Sequence, residues 1–405
     1  MPEQDRTADS AGAATAVSTV IADVVEKYDA DLLDLRRDLH AHPELSWSEL
    51  RTAELVSSQV EQAGWRITHH SRTGFAADLG DDGPMVALRA DMDALPVQDL
   101  TDEPWASRVA GVAHACGHDV HTTALTGAAL ALAEVHERGL LPGRVRLLFQ
   151  PAEEVMPGGA VHLMAKGALD GVERVFALHC DPGVDVGQVG LRLGPLTSAA
   201  DRVEVRLTGT GGHTSRPHLT GDLTFALAKV TTELPAVLSR RMDPRAGVSV
   251  VWGSLHAGSA PNVIPDHGVV TGTVRILDAV AWADCEAVVR TVVDEIVRPY
   301  GVSAEIDYQR GVPPVVNEPV SHRMLAEAVR SVLGEKGEVV APQSLGGEDF
   351  GWYLDRVPGA MMRLGTRTPG GATYDLHQGN LRVDERAIGI GARLLAEVAM
   401  RALTR

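Results

Sequence analysis

Apolar residues recur every three or four positions in several long segments of the chain. Over residues 15–39 this spacing predicts an amphipathic helix, and Pro43 shortly after it favours a stop. Gly64 follows a second segment of the same kind, as a glycine often does at the end of a helix. The helical period therefore predicts helices over about residues 15–39, 49–63, 120–138, 319–333 and 384–403.

Short apolar runs separate these helical segments and predict strands. The run over residues 85–90 is apolar enough for a strand buried on both faces, and it leads directly into Asp91 and Asp93. Open α/β sheets bind their ligands at the carboxyl ends of such strands. We expect an α/β domain with a mixed central sheet flanked by helices, with strands over about residues 65–69, 75–79, 85–90, 144–150 and 174–178.

The pattern changes after about residue 200. Strand-like and helix-like segments then follow the order βαββαβ, which is that of a ferredoxin-like unit. Its predicted elements cover residues 201–207, 223–240, 247–255, 268–277, 282–298 and 304–308. We therefore expect residues 195–308 to be a domain inserted between two parts of the main domain, residues 15–194 and 309–405. Residues 1–14, rich in Ala, Asp and Ser, are expected to form a flexible tail.

The composition excludes several classes of partner. The chain of 405 residues has 37 Lys and Arg against 54 Asp and Glu, a formal net charge of −17, which argues against nucleic acid or an anionic membrane as a partner. Three cysteines do not form a disulfide framework in a chain of this length and fit a reducing compartment. No signal-peptide pattern and no apolar run of about 18 residues is present, so we expect a cytoplasmic protein.

Metal-binding residue types recur beside the predicted strand ends and turns. Cys116 and His118 flank a glycine before a predicted helix, and thiolate and imidazole are both common zinc ligands. Two ligands do not make a site, and a buried cysteine often packs as a small hydrophobic residue. Two neighbouring metal ions need about five to seven protein ligands, one of them bridging. The candidates are Cys116, His118, Glu154, His179 and His377.

The adjacent carboxylates Glu153 and Glu154 follow a predicted strand. Most acidic pairs are simply solvated at a protein surface, but loops over strand ends are where catalytic residues concentrate. Neighbouring side chains of an extended segment point to opposite sides. One carboxylate can therefore bind metal while the other accepts a proton from water.

Five motifs, in order along the chain, carry a family resemblance. They are Arg89-Ala-Asp-Met-Asp-Ala-Leu-Pro96, His114-Ala-Cys-Gly-His-Asp119, Pro151-Ala-Glu-Glu154, Gly211-Gly-His-Thr-Ser-Arg-Pro-His218 and Gly347-Glu-Asp-Phe350. Together they resemble the M20 family of metallopeptidases. More narrowly, they resemble its amidohydrolase branch, which includes hippurate hydrolases, N-acyl-amino-acid amidohydrolases and auxin-conjugate hydrolases.

The resemblance implies a dinuclear metal site. Glu153 matches the general base of the family, and Asp93 matches a carboxylate usually found beside the metals. The ligand types favour zinc, although manganese or cobalt also suits a mixed set of oxygen, nitrogen and sulfur donors. The implied ligands are Cys116, His118, Glu154, His179 and His377.

The resemblance also implies that the inserted domain is a lid and the contact surface of a homodimer. His213 matches a lid histidine that reaches an active site, often that of the partner subunit. Asn262 and Arg275 match lid residues that contact substrate. Two departures bear on substrate preference: Val155-Met156-Pro157 replaces the glycine run that often follows the paired glutamates, and Gly347 stands where serine is frequent.

The expected function is therefore metal-dependent cleavage of the amide bond of N-acyl amino acids or related small conjugates. The water between the metals is expected to attack the amide after Glu153 takes its proton. Two alternatives stay open: a dipeptidase or exopeptidase with the same chemistry, and a catalytically silent relative that only binds metal or ligand. No Gly-x-Ser-x-Gly motif is present, which argues against a serine hydrolase.

Overall fold

The structure of the chain is a computed structural model that describes the backbone of residues 3–404 and the side chains of residues 15–404. The chain divides into two compact units. Unit 1 comprises Met1–Gly194, Asn317–Pro342 and Trp352–Arg405, and unit 2 comprises Pro195–Val316 and Gln343–Gly351. The inserted domain predicted over residues 195–308 lies within unit 2, which continues further along the chain.

Helices and strands are numbered in chain order. The α-helices of the described residues are α1 (Glu3–Lys27), α2 (Asp29–Ala41), α3 (Leu50–Gln62), α4 (His118–Glu137), α5 (Gly159–Ala165), α6 (Leu223–Arg241), α7 (Ala279–Val297), α8 (Pro319–Leu333), α9 (Gly351–Leu354) and α10 (Arg386–Leu403). The strands are β1 (Arg66–His69), β2 (Phe75–Leu79), β3 (Met85–Asp91), β4 (Arg144–Gln150), β5 (Val172–Asp185), β6 (Val189–Leu191), β7 (Gly194–Pro195), β8 (Ala199–Thr208), β9 (Gly212–His213), β10 (Ser249–Ala257), β11 (Val263–Ile264), β12 (His267–Ile276), β13 (Ser303–Val312), β14 (Val316–Asn317), β15 (Glu338–Val340) and β16 (Gly359–Arg367).

An eight-stranded sheet in the order β1-β2-β4-β3-β5-β16-β6-β15 forms the centre of unit 1. The strands β4, β3, β5 and β16 run parallel to one another, whereas the pairs β1–β2, β2–β4 and β16–β6 are antiparallel. Helices α3, α4, α8 and α10 pack against this sheet. The predicted α/β architecture with a mixed central sheet flanked by helices is therefore confirmed.

Small residues allow close packing in the core of unit 1. Helices α4 and α10 approach so closely that a Cβ on Gly127 would lie 2.8 Å from the Cβ of Ala392. A Cβ on Gly391 would likewise lie 3.1 Å from that of Ala124. Strand β3 is buried along its whole length, as its apolar sequence predicted. Close helix contacts and aliphatic side chains thus form a core in a chain with only 4% aromatic residues.

Unit 2 contains a four-stranded antiparallel sheet in the order β10-β12-β8-β13. Along the chain its elements follow the order β8-α6-β10-β12-α7-β13, and α6 and α7 pack against each other and against the sheet. This is the βαββαβ order expected of a ferredoxin-like unit. A separate two-stranded ribbon pairs His213 of β9 with Val263 of β11.

Some local predictions differ from the structure. The single helix predicted over residues 15–39 is two helices, α1 and α2, because the polar residues from Glu26 to Asp31 interrupt the apolar period. Helix α1 begins at Glu3, so it includes most of the segment predicted as a flexible tail, while Met1 and Pro2 lie outside the described residues. No helix among the described residues combines the length and the hydropathy needed to cross a bilayer.

Candidate metal centre

Parallel strands of unit 1 bring distant parts of the sequence to one edge of the sheet. Strand β3 ends at Asp91, which pairs in register with Gln150 at the end of β4. Strand β5 runs along the other side of β3 and carries His179. Because parallel strands end at the same edge, the segments after Asp91 and Gln150 come close to His179.

A glycine turn presents Cys116 and His118 at this edge. Gly117 adopts φ +85°, a left-handed conformation that strains other residues, and a Cβ there would lie 2.9 Å from Sγ of Cys180. Glycine is therefore required on both counts. His118 is the first residue of α4, and both Cys116 and His118 are buried.

Backbone hydrogen bonds dock the loop that carries His377. The N–H of His377 donates to the carbonyl oxygen of Ala115 at 2.7 Å, and the N–H of Leu100 donates to that of Gly379 at 2.7 Å. A Cβ on Gly379 would overlap the carbonyl oxygen of Gln98, so only glycine fits. These contacts hold His377 beside the turn that precedes α4.

The donor atoms of the five predicted ligands form two overlapping groups. Those of Cys116, His118 and His179 lie within 4.8 Å of one another, and so do those of Cys116, Glu154 and His377. Cys116 Sγ is 3.5 Å from His179 Nε2, and His377 Nε2 is 3.3 Å from Glu154 Oε1. Cys116 is common to both groups, so it is the residue that would serve as a bridging ligand if two ions were bound.

Hydrogen bonds fix the ring orientation of two histidines. Nδ1 of His118 lies 2.8 Å from the carbonyl oxygen of Asp93, and Nδ1 of His179 lies 2.8 Å from that of Cys180. A carbonyl oxygen only accepts, so each Nδ1 carries the hydrogen and donates it. The lone pair on Nε2 of each ring is left for a metal ion, the arrangement common in metal-binding histidines.

The residues present fit a divalent metal ion. His118 Nε2, 3.8 Å from Glu154 Oε1, is buried and has no hydrogen-bond partner among the described residues. Leaving such an atom unpaired costs about 1–3 kcal/mol, a cost that a bound cation removes. One thiol, three imidazoles and one carboxylate form a donor set suited to zinc and related transition metals.

Burial sets the protonation of two of these donors. It raises the pKa of the Cys116 thiol above its ordinary value, so the thiol keeps its proton until a cation replaces it. Burial, together with the positive charge of Arg363, lowers the pKa of His179 well below its ordinary value. His179 is therefore a neutral imidazole, the form that binds metal.

Asp93 connects the paired glutamates to the histidine side of the centre. Its two carboxylate oxygens accept the backbone N–H groups of Glu153 and Glu154, each at 3.0 Å. Asp93 Oδ2 also accepts the hydroxyl of Ser46 at 2.7 Å, and Oδ1 lies 3.3 Å from His118 Nδ1. Carboxylate atoms of Glu153 and Glu154 lie within 4.8 Å of a ring nitrogen of His118, so both side chains lie beside the same histidine.

No role was predicted for Asp91 or His121, whose polar atoms lie within 4.8 Å of a ring nitrogen of His118. The N–H of Cys180 donates to His121 Nε2 at 2.8 Å, so Nδ1 carries the hydrogen and donates to Asp91 Oδ1 at 2.6 Å. Arg89 binds the other oxygen of Asp91 at 2.6 Å. These polar atoms are thus already paired, although Asp91 Oδ2 is only 3.7 Å from His118 Nε2. The signal available in the sequence was a charged residue at the end of a buried strand.

The other predicted site residues belong to unit 2. His213 is exposed on β9, and its Nδ1 accepts the N–H and hydroxyl of Ser215 at 3.1 and 2.9 Å. The carbonyl oxygen of Asn262 accepts the N–H of Thr214, so Asn262 lies next to His213 in the same ribbon. The side chain of Arg275, on β12, is half-buried and forms no hydrogen bond or ion pair with any described residue.

The sequence matches a known family over most of its length. The profile of "Peptidase family M20/M25/M40" matches residues 87–401. The chain therefore belongs to this family, as the five motifs predicted, and its class is that of hydrolases that cleave amide bonds with the help of bound metal.

Two relatives are similar in sequence to this chain over most of its length. A putative glutamate–cysteine ligase 2-3 of Rhodococcus jostii is 50% identical over 90% of this chain, but the match covers 46% of that protein. The chain thus spans about half the length of this relative. N-acetyl-L-cysteine deacetylase of Bacillus subtilis is 37% identical, with 92% of this chain and 88% of the relative covered.

Solved structures share the fold. A putative aminohydrolase from methicillin-resistant Staphylococcus aureus superposes with a TM-score of 0.89 at 30% identity, covering 95% of this chain and all of the other. The YXEP protein of Bacillus subtilis, described as a dinuclear metal binding peptidase from the M20 family, superposes with a TM-score of 0.80 at 33% identity, covering 94% of this chain and 99% of that one.

Proposed function

We propose that this protein is a metal-dependent amidohydrolase acting on N-acyl amino acids or related small conjugates. The observation that carries the proposal is the convergence of donors from four separate parts of the sequence, with one thiol common to two groups. Zinc is the metal that the donor set favours, with manganese or cobalt as alternatives. We assign as ligands of two divalent ions Cys116, His118, Glu154, His179 and His377.

Glu153 and Glu154 divide the chemistry of the reaction between them. Metal ions held by the ligand set would polarise the amide carbonyl and lower the pKa of the attacking water. Glu154 is a ligand, and Glu153 accepts the proton of the attacking water and transfers it to the leaving amine nitrogen. Asp93 keeps the two glutamates in place by accepting both of their backbone N–H groups.

Unit 2 supplies the groups that recognise the substrate. The guanidinium of Arg275 is half-buried and forms no ion pair or side-chain hydrogen bond with a described residue, although the charge of Asp201 acts on it, which suits it to bind the carboxylate of an amino acid by a charge-assisted pair. We assign Asn262 to the same substrate contact. His213 stabilises the oxyanion that develops during attack, in its own subunit or in the partner subunit.

The substrate assignment is tested by a panel of N-acetyl amino acids, including N-acetyl-L-cysteine, together with hippurate and dipeptides. We expect hydrolysis of N-acyl amino acids, two metal ions per chain by elemental analysis, loss of activity with a chelator and recovery when metal is restored. A preference for dipeptides would instead indicate an exopeptidase. Two bound ions without turnover on any substrate would indicate a silent relative.

We further propose a homodimer formed through unit 2. Strand β10 lies at the edge of the four-stranded sheet, so one side of its backbone lacks a strand partner within that sheet. Val251 and Leu255 on this strand are 60% and 49% exposed. An exposed edge strand with apolar side chains is a template for pairing with a second copy of the chain.

Sedimentation tests this assembly with two matched substitutions. We expect the wild-type protein to sediment as a dimer and Val251→Lys to shift it towards monomer, because the new charge would be buried at the interface. Val280→Lys is the control, since Val280 is 74% exposed on α7, away from the edge strand. A wild-type monomer with full activity, or an equal shift in both variants, would contradict the proposal.

A further inference from the structure

The turn that carries Glu153 and Glu154 is bound by side-chain carboxylates instead of backbone carbonyl groups. The N–H of Ala152 donates to Glu49 Oε1 at 2.8 Å, and the next two N–H groups donate to Asp93. Three successive amides are therefore held by two carboxylates that lie far away in the sequence. Glu49 is 103 positions from Ala152.

Glu49 is buried in a way that calls for a role. It directly precedes α3 at the N-cap position but makes no capping hydrogen bond, and the residue is fully buried. Its second oxygen, Oε2, has no hydrogen-bond partner among the described residues. Burial, with a smaller effect of Asp93, raises the pKa of Glu49 to about 7. A buried acid of this kind opposes folding, and its bond to the Ala152 N–H, together with backbone N–H groups at Glu49 itself and Trp47, offsets part of that cost.

The turn itself needs support. Ala152 has φ +55°, a left-handed conformation that costs a residue with a Cβ about 1–2 kcal/mol. On its other side, the carbonyl oxygen of Ala152 accepts the N–H of Gly159 at 2.9 Å. A Cβ on Gly159 would overlap the carbonyl oxygen of Pro151, so the chain packs tightly there. Loss of the Glu49 bond would free the strained residue that immediately precedes the paired glutamates.

We propose that Glu49 is a positioning residue that aims the carboxylates of Glu153 and Glu154 by fixing the N–H of Ala152. The proposal rests on the proposed function, in which these two side chains are the base and a metal ligand. Without Glu49 the turn relaxes and both carboxylates move. Displacements of about 1 Å in such groups can cost about 100-fold in rate.

Two substitutions at Glu49 test the proposal in the full chain loaded with metal. Glu49→Gln keeps an oxygen that accepts the Ala152 N–H and resembles the neutral acid, so we expect kcat within about 3-fold of wild type. Glu49→Ala removes the acceptor, so we expect kcat to fall by about 10- to 100-fold while KM changes by less than about 3-fold. If Glu49→Ala does not fold, Glu49→Asp, too short by one methylene to keep the bond unstrained, is expected to show the same loss in kcat.

Val56→Ala is the matched control. Val56 is fully buried on α3, the helix that Glu49 precedes, but its side chain cannot form a hydrogen bond with the turn at residues 152–154. We expect it to lower the free energy of unfolding without changing kcat. A second readout is the visible spectrum of the cobalt-substituted protein, which should change in Glu49→Ala and not in Glu49→Gln or Val56→Ala. The proposal fails if Glu49→Ala keeps kcat within 2-fold of wild type, or if Glu49→Gln is as inactive as Glu49→Ala. It also fails if Val56→Ala lowers kcat as much as Glu49→Ala does.

The cobalt spectrum separates this proposal from the proposed function. If the wild-type protein hydrolyses no amide, the proposed function is wrong. The spectral comparison among the variants still tests whether Glu49 positions the turn, because it reports on coordination by Glu154 without requiring turnover. An unchanged spectrum in Glu49→Ala would overturn the positioning role.

Discussion

Replacing Glu153 with alanine is expected to lower kcat by a factor of about 10² to 10⁴, the range that a general base contributes. The attacking water then has no positioned group to take its proton and pass it to the leaving amine. The metal content should stay at two ions per chain, because all five assigned ligands remain. Steady-state kinetics together with elemental analysis of the same preparation measure both quantities.

Two further substitutions control this experiment. Glu153→Gln keeps the shape of the side chain but cannot accept a proton in this way, so it should be as inactive as Glu153→Ala. Glu173→Ala removes an exposed carboxylate on β5 of the same unit and should leave kcat unchanged. Turnover within 10-fold of wild type in Glu153→Ala, or loss of metal from that variant, would show that the base has been assigned wrongly.

The largest effect on stability is expected from Asp91→Asn, which should reduce the free energy of unfolding by about 3–5 kcal/mol. The side chains of Arg89 and Asp91 have no exposed surface, and their atoms are 2.6 Å apart. Burial alone would raise the pKa of Asp91, but Arg89, His118 and His121 hold it well below its ordinary value, so the carboxylate is ionised. The substitution leaves the Arg89 guanidinium buried beside a neutral amide. Urea unfolding of the metal-free protein measures the loss.

The pair formed by Asp185 and Arg367 provides the matched control. It joins the same two residue types at 2.6 Å on neighbouring strands of unit 1, but both side chains are 30% exposed. Water screens such a pair, so Asp185→Asn should cost about 0–1 kcal/mol. If Asp91→Asn and Asp185→Asn lowered the free energy of unfolding equally, burial of the Asp91 pair would not explain the loss.

The sequence was most informative where local pattern alone decides the outcome. The periods of the apolar residues identified the main strands, the long helices and the βαββαβ order of unit 2. The position of Glu154 directly after a strand, and of Cys116 on a glycine turn, indicated a site because parallel strands end at one edge of a sheet. Where the apolar period was interrupted, as between α1 and α2, or where elements were very short, as in β6 and β15, prediction was less accurate.

The arrangement of the polar residues depends on contacts between parts of the chain that are far apart in sequence. The chain has 16 histidines, and only the contacts of each ring distinguish His118 and His179, whose Nε2 atoms face other metal donors, from His121, whose ring nitrogens pair with Asp91 and the Cys180 N–H. Glu49 and Asp93 gave no local signal of their bonds to the turn at residues 152–154. Hydrophobic periodicity is a property of neighbouring residues, so the sequence by itself determined the elements and the family. The pairing of buried polar atoms depends on distance in space, so only the tertiary structure determined the arrangement of the site.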